Sequence, residues 1–212
     1  MKKLIVSATK EEVNLILEEN NFSENPDIKN LYESDENDIF ISGIGAPYTI
    51  FNLTQLLSTK KYAQVINMGI AGAYNNKINI GDVVAVEQDI FADIGIDNNG
   101  QFNTLTEEDI SMKSTYPNYN WYKSSIDLPF KKAKGLTVNT VSGSEEKIKK
   151  LTTKFNADTE SMEGVAVFYI CNRLNIPVGQ VRAISNYVEP RNKENWEIKK
   201  AFRALADAYK TL

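Results

Sequence analysis

Short β-branched runs that alternate with helical patterns are the feature that most constrains how this chain folds. Runs rich in Val and Ile at Lys2–Ala8, Asp38–Ser42 and Val65–Met68 predict buried strands. The segments that begin at Thr9 and near Pro47 carry apolar residues at helical spacing and predict helices. Strands that alternate with helices along one chain indicate an α/β fold, with a largely parallel or mixed sheet between two helical layers.

The second half of the chain repeats this alternation. The strands predicted there are Asp82–Glu87, Leu136–Val141, Asp158–Ser161 and Val178–Ile184, and the helices are Glu145–Phe155, Glu163–Leu174 and Asn195–Tyr209. The polar, weakly periodic stretch from about Asp97 to Pro129 is expected to form long loops with at most one short helix. No linker or repeat interrupts the pattern, so residues 1–212 are expected to form a single domain.

Charge and hydropathy restrict the class of partner. The net charge is −4 and no basic stripe occurs, which argues against a nucleic-acid partner. No apolar run approaches the roughly 18 residues that a membrane span requires, so no membrane partner is expected. The first apolar run stops at Ala8 without a cleavage-type segment, and we therefore expect a cytoplasmic protein.

The chain contains no histidine, which removes several kinds of catalysis at once. Ser-His-Asp, Cys-His and His-metal chemistry are excluded, and proton transfer must use carboxylates, Tyr, Lys or water. The single cysteine, Cys171, lies inside the apolar run VAVFYIC and is expected to be a buried, reduced core residue. No metal site and no cofactor are expected.

Polar residues that directly follow strands are the candidates for chemistry, because ligands of open α/β sheets bind beyond the carboxyl ends of the strands. These candidates are Glu12, the glycine segment Gly69–Gly72, the segment Thr159–Gly164, and Ser185 with Asn186. The glycine segment, taken as a loop, lacks the spacing of a dinucleotide fingerprint or a P-loop.

Three of these candidates have a structural explanation beside a functional one. Glu12 completes a capping box with Thr9, and Glu163 suits a first helical turn with Ser161 as its N-cap. Asn186 suits a turn. As functional groups, the Glu163 carboxylate can accept two hydrogen bonds from a vicinal diol, and the Asn186 amide can donate and accept at the edge of a purine.

Taken in order, several segments resemble the nucleoside phosphorylase and methylthioadenosine/adenosylhomocysteine nucleosidase superfamily. They are KEEV (Lys10–Val13), SGIG (Ser42–Gly45), NMGIAGAY (Asn67–Tyr74), INIGDVV (Ile78–Val84), SMEGVAVFYIC (Ser161–Cys171) and VRAISN (Val181–Asn186). The resemblance implies a three-layer α/β/α sandwich with a central mixed β-sheet. It also implies an enzyme that cleaves the N-glycosidic bond of a small-molecule purine nucleoside without a metal or cofactor.

The resemblance also implies roles for individual residues. Glu12 would activate the attacking water, Glu163 would hold the ribose hydroxyls, and Asn186 would meet the polar edge of the base. The residues implied to bind substrate are Ile44, Ile70, Gly72, Val141, Ser142, Met162, Arg182, Tyr187 and Arg191. Arg182 would support Glu163 from behind.

Arginine usage bears on the choice between hydrolysis and phosphorolysis. Hexameric phosphorylases of this superfamily hold phosphate with arginines from the amino-terminal half, whereas the first 172 residues of this chain contain none. Lysines or backbone amides lack the bidentate fork that arginine offers to phosphate. Hydrolysis is therefore preferred.

The residue at position 186 bears on the base. Adenine-specific nucleosidases carry aspartate there, whereas the amide of Asn186 suits a 6-oxopurine such as hypoxanthine. AISNYVEPRN and FADIGIDNNGQF (Phe91–Phe102) are similar to the branch whose substrate carries a carboxylated benzoyl group beyond C5′. Arg191, Lys193 or Tyr187 would then meet that carboxylate.

Two alternatives remain open. One is a methylthioadenosine nucleosidase with an altered base site, and the other is an inactive protein that binds purine nucleosides, against which the presence of both Glu12 and Glu163 argues. The resemblance further implies a homodimer or higher homo-oligomer.

Overall fold

A computed structural model describes residues 1–105, 107–108, 121–190 and 192–212. The strands are β1 (Lys3–Ser7), β2 (Ser23–Glu24), β3 (Leu31–Glu33), β4 (Asn37–Ile41), β5 (Gln64–Ala73), β6 (Val83–Phe91), β7 (Gly95–Asn98), β8 (Gln101–Thr104), β9 (Tyr122–Lys123), β10 (Lys131–Thr137), β11 (Thr159–Ser161) and β12 (Val178–Tyr187). The helices are α1 (Lys10–Glu19), α2 (Ala46–Thr59), α3 (Glu145–Phe155), α4 (Gly164–Leu174) and α5 (Ile198–Tyr209).

The central sheet is mixed, as predicted, and part of it closes on itself. Its strand order in the described residues is β11-β10-β6-β12-β5-β1-β4-β3-β2, with β9 paired to β6. β4, β1, β5 and β12 run parallel, and β6 lies antiparallel to β12. β11 also pairs with β5, so that β5, β12, β6, β10 and β11 form a closed ring of strands. The carboxyl ends of β1, β5 and β12 therefore meet at one edge.

Helices cover both faces of the sheet, which confirms the predicted three-layer α/β/α sandwich. Alternate residues of β1 point to opposite faces: Leu4 packs with α2 and α4, whereas Ile5 packs with α1 and α5. The amphipathic face of α3 packs through Leu151 and Phe155 against the β6–β10 end of the sheet. Each layer thus forms from one apolar stripe facing one sheet surface.

Strand β5 corrects the prediction that Gly69–Gly72 is a loop. The strand continues to Ala73, because β12 pairs with it in parallel along almost its whole length. The glycines are accommodated inside the strand, where buried side chains approach the backbone closely: a methyl group at Gly69 would collide with the Arg182 guanidinium. The segment that was predicted to be a loop is therefore part of the sheet.

A β-bulge interrupts the pairing of β12 with β5. Ile184 pairs with Ala71 and Asn186 pairs with Gly72, so Ser185 is an extra residue on the bulged strand. Bulges re-aim the side chains that follow them. This bulge sets which face of the sheet Asn186 occupies.

The stretch Asp97–Pro129 also differs from its prediction in the described part. β7 and β8 form a hairpin, and Asn99 and Gly100 at its tip have φ values of 54° and 86°. Two consecutive positive φ values suit the tight turn that joins twisted strands, so the sequence Asn-Asn-Gly contained a hairpin signal that the loop prediction overlooked. Residues 106 and 109–120 lie outside the described residues.

The ends of several helices and strands also differ from their predicted positions. The last helix begins at Ile198 instead of Asn195, and β10 ends at Thr137, which leaves Val141 in the connection to α3. Cys171 is fully buried, as expected, and burial raises the pKa of its thiol to about 12. Within the described residues, no helix is both long and apolar enough to cross a membrane.

Candidate active site

Glu12 lies at the first turn of α1, at the carboxyl end of β1. It is buried, and its Oε2 accepts hydrogen bonds from Ser7 Oγ (3.0 Å) and from the Thr9 amide (3.1 Å), which completes the predicted capping box. Its Oε1 accepts from the Ile70 amide of β5 at 2.9 Å. These bonds aim one carboxylate oxygen at the middle of β5.

Arg182 of β12 lies beside Glu12, over Gly69. Its side chain is fully buried, and one Nη group donates to Asn67 Oδ1, whereas Nε has no partner among the described residues. A Cβ at Gly69 would meet both Arg182 Nη1 and Glu12 Oε1. The absence of a side chain at Gly69 thus lets a guanidinium and a carboxylate flank the same point.

Glu163 lies at the N-cap of α4, where its own side chain caps nothing. The predicted N-cap, Ser161, is wrong, because the helix begins one residue after Glu163. Glu163 Oε1 instead accepts from the Gly45 amide at 2.8 Å, in the turn before α2. Burial raises the pKa of the Glu163 carboxyl, the Arg182 charge opposes that rise, and the Glu12 charge adds to it. Glu12, Arg182 and Glu163 therefore form one electrostatic group.

Asn186 lies next to a cavity of about 110 Å³. Its Nδ2 donates to the Tyr187 carbonyl and its Oδ1 accepts from Ser185 Oγ, both at 2.8 Å. Because a carbonyl can only accept, the bond to Tyr187 fixes which end of the amide carries the NH₂ group. Among the residues that the structure describes, these two bonds leave one N–H and one oxygen lone pair of Asn186 for a ligand.

Ser142 and Glu160 line the same cavity from another side. Glu160 is buried; its Oε1 accepts from the Ser142 amide at 2.8 Å, and its Oε2 accepts from Ser142 Oγ at 2.6 Å and from the Tyr74 hydroxyl. Trp196 also borders the cavity. The lining combines the aromatic residues Tyr187 and Trp196 with polar groups, a combination that suits a planar heterocycle.

The remaining candidates fall near one of these two groups. Ile70 donates its amide to Glu12, Met162 immediately precedes Glu163, and Ile44 precedes Gly45 and is 57% exposed. Gly72, Val141 and Tyr187 line the cavity. Arg191 lies outside the described residues, as does the side chain of Lys193.

The two groups are joined by β5. Gly69 and Ile70 border the carboxylate group and Gly72 borders the cavity, so the groups are separated by about 10 Å along one strand, at about 3.3 Å per residue. The structure brings the predicted residues to one edge of the sheet, but in two adjoining parts.

Glu160 and Trp196 were missed by the sequence interpretation. Glu160 lies within the candidate segment Thr159–Gly164, but only Glu163 of its two glutamates was given a role. A carboxylate inside the short buried strand β11 was the available signal, because such a group requires partners. Trp196 was assigned to the last helix, whereas it lies in the connection before α5.

Known proteins similar to this chain agree with the fold. The profile of the phosphorylase superfamily matches residues 2–211. Futalosine hydrolase of Thermus thermophilus is 29% identical over 176 residues, which span 81% of this chain and 78% of that protein. The 5′-methylthioadenosine/S-adenosylhomocysteine nucleosidase of Staphylococcus aureus is 28% identical over 161 residues, 74% of this chain and 71% of that protein. The solved structure of Helicobacter pylori futalosine hydrolase superimposes with a TM-score of 0.80 at 20% identity, covering 99% of this chain and 96% of that one.

Proposed function

Because this chain belongs to the phosphorylase superfamily, we propose that it is an N-glycosidase that hydrolyses futalosine and releases hypoxanthine, in the futalosine route of menaquinone biosynthesis. The relatives named futalosine hydrolase support this substrate. The observation that carries the proposal is the neutral amide of Asn186, held in a fixed orientation beside a cavity at the edge that also holds Glu12 and Glu163.

The two carboxylates suit the sugar half of the reaction. Cleavage of the glycosidic bond gives an oxocarbenium-like sugar, and the buried Glu163 stabilises that positive charge while accepting hydrogen bonds from the ribose hydroxyls. Glu12 Oε1 lies next to the Arg182 guanidinium, so a water molecule that reaches this carboxylate has a base and a cation beside it. Glu12 takes a proton from this water as it attacks the sugar.

Asn186 suits the departing base. Its free N–H donates to O6 of hypoxanthine, and its free lone pair accepts a hydrogen bond from N7–H. The proton on N7 comes from solvent, so the base leaves as neutral hypoxanthine, and Glu12 returns to solvent the proton that it took from the attacking water. Adenine has an amino group at C6 and no carbonyl, so one of the two bonds is lost. A site that is built to form a hydrogen bond discriminates against a ligand that cannot form that bond.

Water is preferred to phosphate as the nucleophile. The four arginines are Arg173, Arg182, Arg191 and Arg203, and none lies in the first 172 residues. Arg182 is fully buried and bonded to Asn67, so it does not present the open bidentate fork that a phosphate dianion requires.

Incubation with single nucleosides tests the proposal. The protein is mixed with futalosine, inosine or methylthioadenosine, with and without phosphate, while free base and sugar are measured. We expect hypoxanthine from futalosine without phosphate, and at least tenfold lower kcat/KM for methylthioadenosine. Strict dependence on phosphate would indicate a phosphorylase. A preference for methylthioadenosine would favour the adenine-specific alternative, and no turnover of any nucleoside would favour a binding protein.

We include in the proposal a cytoplasmic location and a homodimer or higher homo-oligomer. Ile44, Tyr48 and Phe51 lie around the start of α2 and are each more than half exposed, although all three are apolar. A second copy that covers this surface removes it from water. Size-exclusion chromatography with light scattering should give at least twice the mass of one chain.

A further inference from the structure

Gly72 separates two polar side chains that belong to different strands. In the closed ring, Asn186 of β12 pairs with Gly72 on one side, and Glu160 of β11 pairs with Gly72 on the other. Neighbouring strands lie about 4.8 Å apart, so the backbones of Asn186 and Glu160 are about 10 Å apart. Gly72 carries no side chain between them, and the Val188 side chain reaches over it, 2.7 Å from where a Cβ would stand. The cavity is lined by Gly72 and Val188 as well as by Asn186 and Glu160, so a flat ring in the cavity has Asn186 on one side and the Glu160 side on another.

The Glu160 side presents hydrogen-bond acceptors. Ser142 has a single hydroxyl proton, which it donates to Glu160 Oε2. Tyr74 donates its phenol proton to the same oxygen, and burial together with the Glu160 charge raises the pKa of Tyr74, which keeps that proton in place. The Ser142 hydroxyl also contacts the Tyr74 hydroxyl. Within the described residues, an oxygen lone pair of Ser142 and the carboxylate oxygens of Glu160 are the acceptors that this side offers to a ligand.

We infer that Glu160, acting through Ser142, is a specificity-determining residue that selects bases with an N–H at N1. Hypoxanthine carries a hydrogen at N1, next to O6, and donates it to an acceptor wall. Adenine carries a bare lone pair at N1, which an acceptor wall repels. Glu160 is a positioning residue in this scheme, since it fixes the direction of the Ser142 proton. The inference rests on the proposed function, because it assigns the base subsite of that reaction.

Glu160→Gln tests the inference by reversing the polarity of Ser142. The backbone amide of Ser142 still requires an acceptor, so the oxygen of the new glutamine stays on that side and its NH₂ group replaces Oε2. That NH₂ donates to Ser142 Oγ and turns the hydroxyl proton toward the cavity. The wall then suits the bare N1 of adenine.

The measurement is the affinity of free hypoxanthine and free adenine, by isothermal titration calorimetry, for the wild-type protein and the variant. We expect the wild type to prefer hypoxanthine at least tenfold. In Glu160→Gln the hypoxanthine-to-adenine ratio of affinities should fall at least tenfold, with adenine binding gained as hypoxanthine binding is lost. A gain of adenine affinity is not produced by mere structural damage.

Two further variants complete the design. Glu145→Gln makes the same chemical change on an exposed residue near Ser142 in sequence, and its ratio should equal that of the wild type. Ser142→Ala removes the acceptor and should weaken hypoxanthine at least tenfold without a gain for adenine. This variant carries the test alone if Glu160→Gln does not fold.

Specific results overturn the inference. They are a wild type that binds adenine as tightly as hypoxanthine or binds neither, an unchanged ratio in a folded Glu160→Gln, or an unchanged hypoxanthine affinity in Ser142→Ala. Failure of the proposed function is recognised separately. If the wild type does not hydrolyse futalosine but base binding changes as expected, the inference stands and the reaction is wrong.

Discussion

Glu12 shows how one side chain serves both local structure and chemistry. Oε2 receives the Thr9 amide of the capping box and the Ser7 hydroxyl, whereas Oε1 faces the Ile70 amide and Arg182 Nη1. The helix-capping explanation and the catalytic hypothesis are therefore compatible, because they use different oxygens. The capping hydrogen bond uses Oε2, so it holds Oε1 in position and leaves Oε1 available for other contacts.

Glu12→Gln should abolish turnover while leaving the fold largely intact. The amide cannot take a proton from water, so kcat should fall by about 10² to 10⁴, the usual contribution of a general base. Loss of one capping acceptor should cost about 1 kcal/mol of the free energy of unfolding. Steady-state kinetics and urea unfolding measure the two effects.

Glu11→Gln is the matched control for this prediction. Glu11 precedes Glu12 on α1 but is exposed, so kcat should stay within twofold of the wild type. A wild-type kcat in Glu12→Gln would show that Glu12 is not the general base.

At the scale of elements, strand β5 carries both halves of the candidate site. Gly69 borders the Glu12 and Arg182 groups, and Gly72 borders Asn186. A side chain at either position would displace its neighbours. A Cβ at Gly69 would lie 2.3 Å from Arg182 Nη1 and 2.8 Å from Glu12 Oε1, and a Cβ at Gly72 would lie 2.7 Å from Val188 Cγ2. Strand β5 therefore sets the distance between the two halves of the candidate site.

Gly69→Ala and Gly72→Ala should separate these halves. A methyl at Gly69 displaces the Arg182 guanidinium and Glu12, so kcat should fall at least tenfold with less effect on the affinity of free hypoxanthine. A methyl at Gly72 pushes on Val188 and Asn186, so hypoxanthine affinity should fall at least tenfold. Displacements near 1 Å in a reacting geometry have effects of this size. Each variant controls for the other, and identical defects in both would argue against two separable halves.

The sequence predicted elements better than it predicted contacts between them. The capping box at Thr9 and the amphipathic helix Glu145–Phe155 are local patterns, and both are confirmed. The run through Gly69–Gly72 was misassigned because its strand conformation depends on pairing with β12, far away in sequence. Glu160 was missed for the same reason: only the closure of β11 onto β5 brings it opposite Asn186.

At the scale of the whole molecule, a buried polar network connects three strands and a helix behind the site. Asp89 of β6 accepts from Thr137 of β10 and from Gln180 of β12, each at 3.0 Å, and Thr137 Oγ1 accepts from the Val165 amide of α4. Asp89 is fully buried, which raises the pKa of its carboxyl to about 6, although the Arg182 charge opposes the rise. Gln180 Oε1 has no partner among the described residues.

Asp89→Asn should change how stability depends on pH. The folded-state pKa of Asp89 lies above its unfolded value of 3.8, so protonation favours the folded state; this stabilisation is complete below pH 3.8 and is lost as the pH rises through 6. The Asp89→Asn variant has no carboxyl group at this position, so its stability does not fall in this way as the pH rises. If the Gln180 amide flips, its oxygen can accept a hydrogen bond from the new NH₂ group at position 89. The free energy of unfolding of the variant minus that of the wild type should therefore be about 1 to 1.5 kcal/mol larger at pH 8 than at pH 5.

Urea unfolding at several pH values measures this difference. Asp127→Asn is the control, because it makes the same chemical change on a side chain that is 93% exposed. A pH-independent difference for Asp89→Asn would contradict the assignment of a raised pKa.

The bulge at Ser185 has a consequence for how such an enzyme diversifies. It places position 186 beside the cavity, opposite Gly72, by backbone geometry, and the Asn186 side chain bonds only to its two sequence neighbours among the described residues. Asparagine and aspartate codons differ by a single nucleotide. One point mutation therefore exchanges the amide at this position for a carboxylate, while the backbone that carries Glu12 and Glu163 is inherited unchanged.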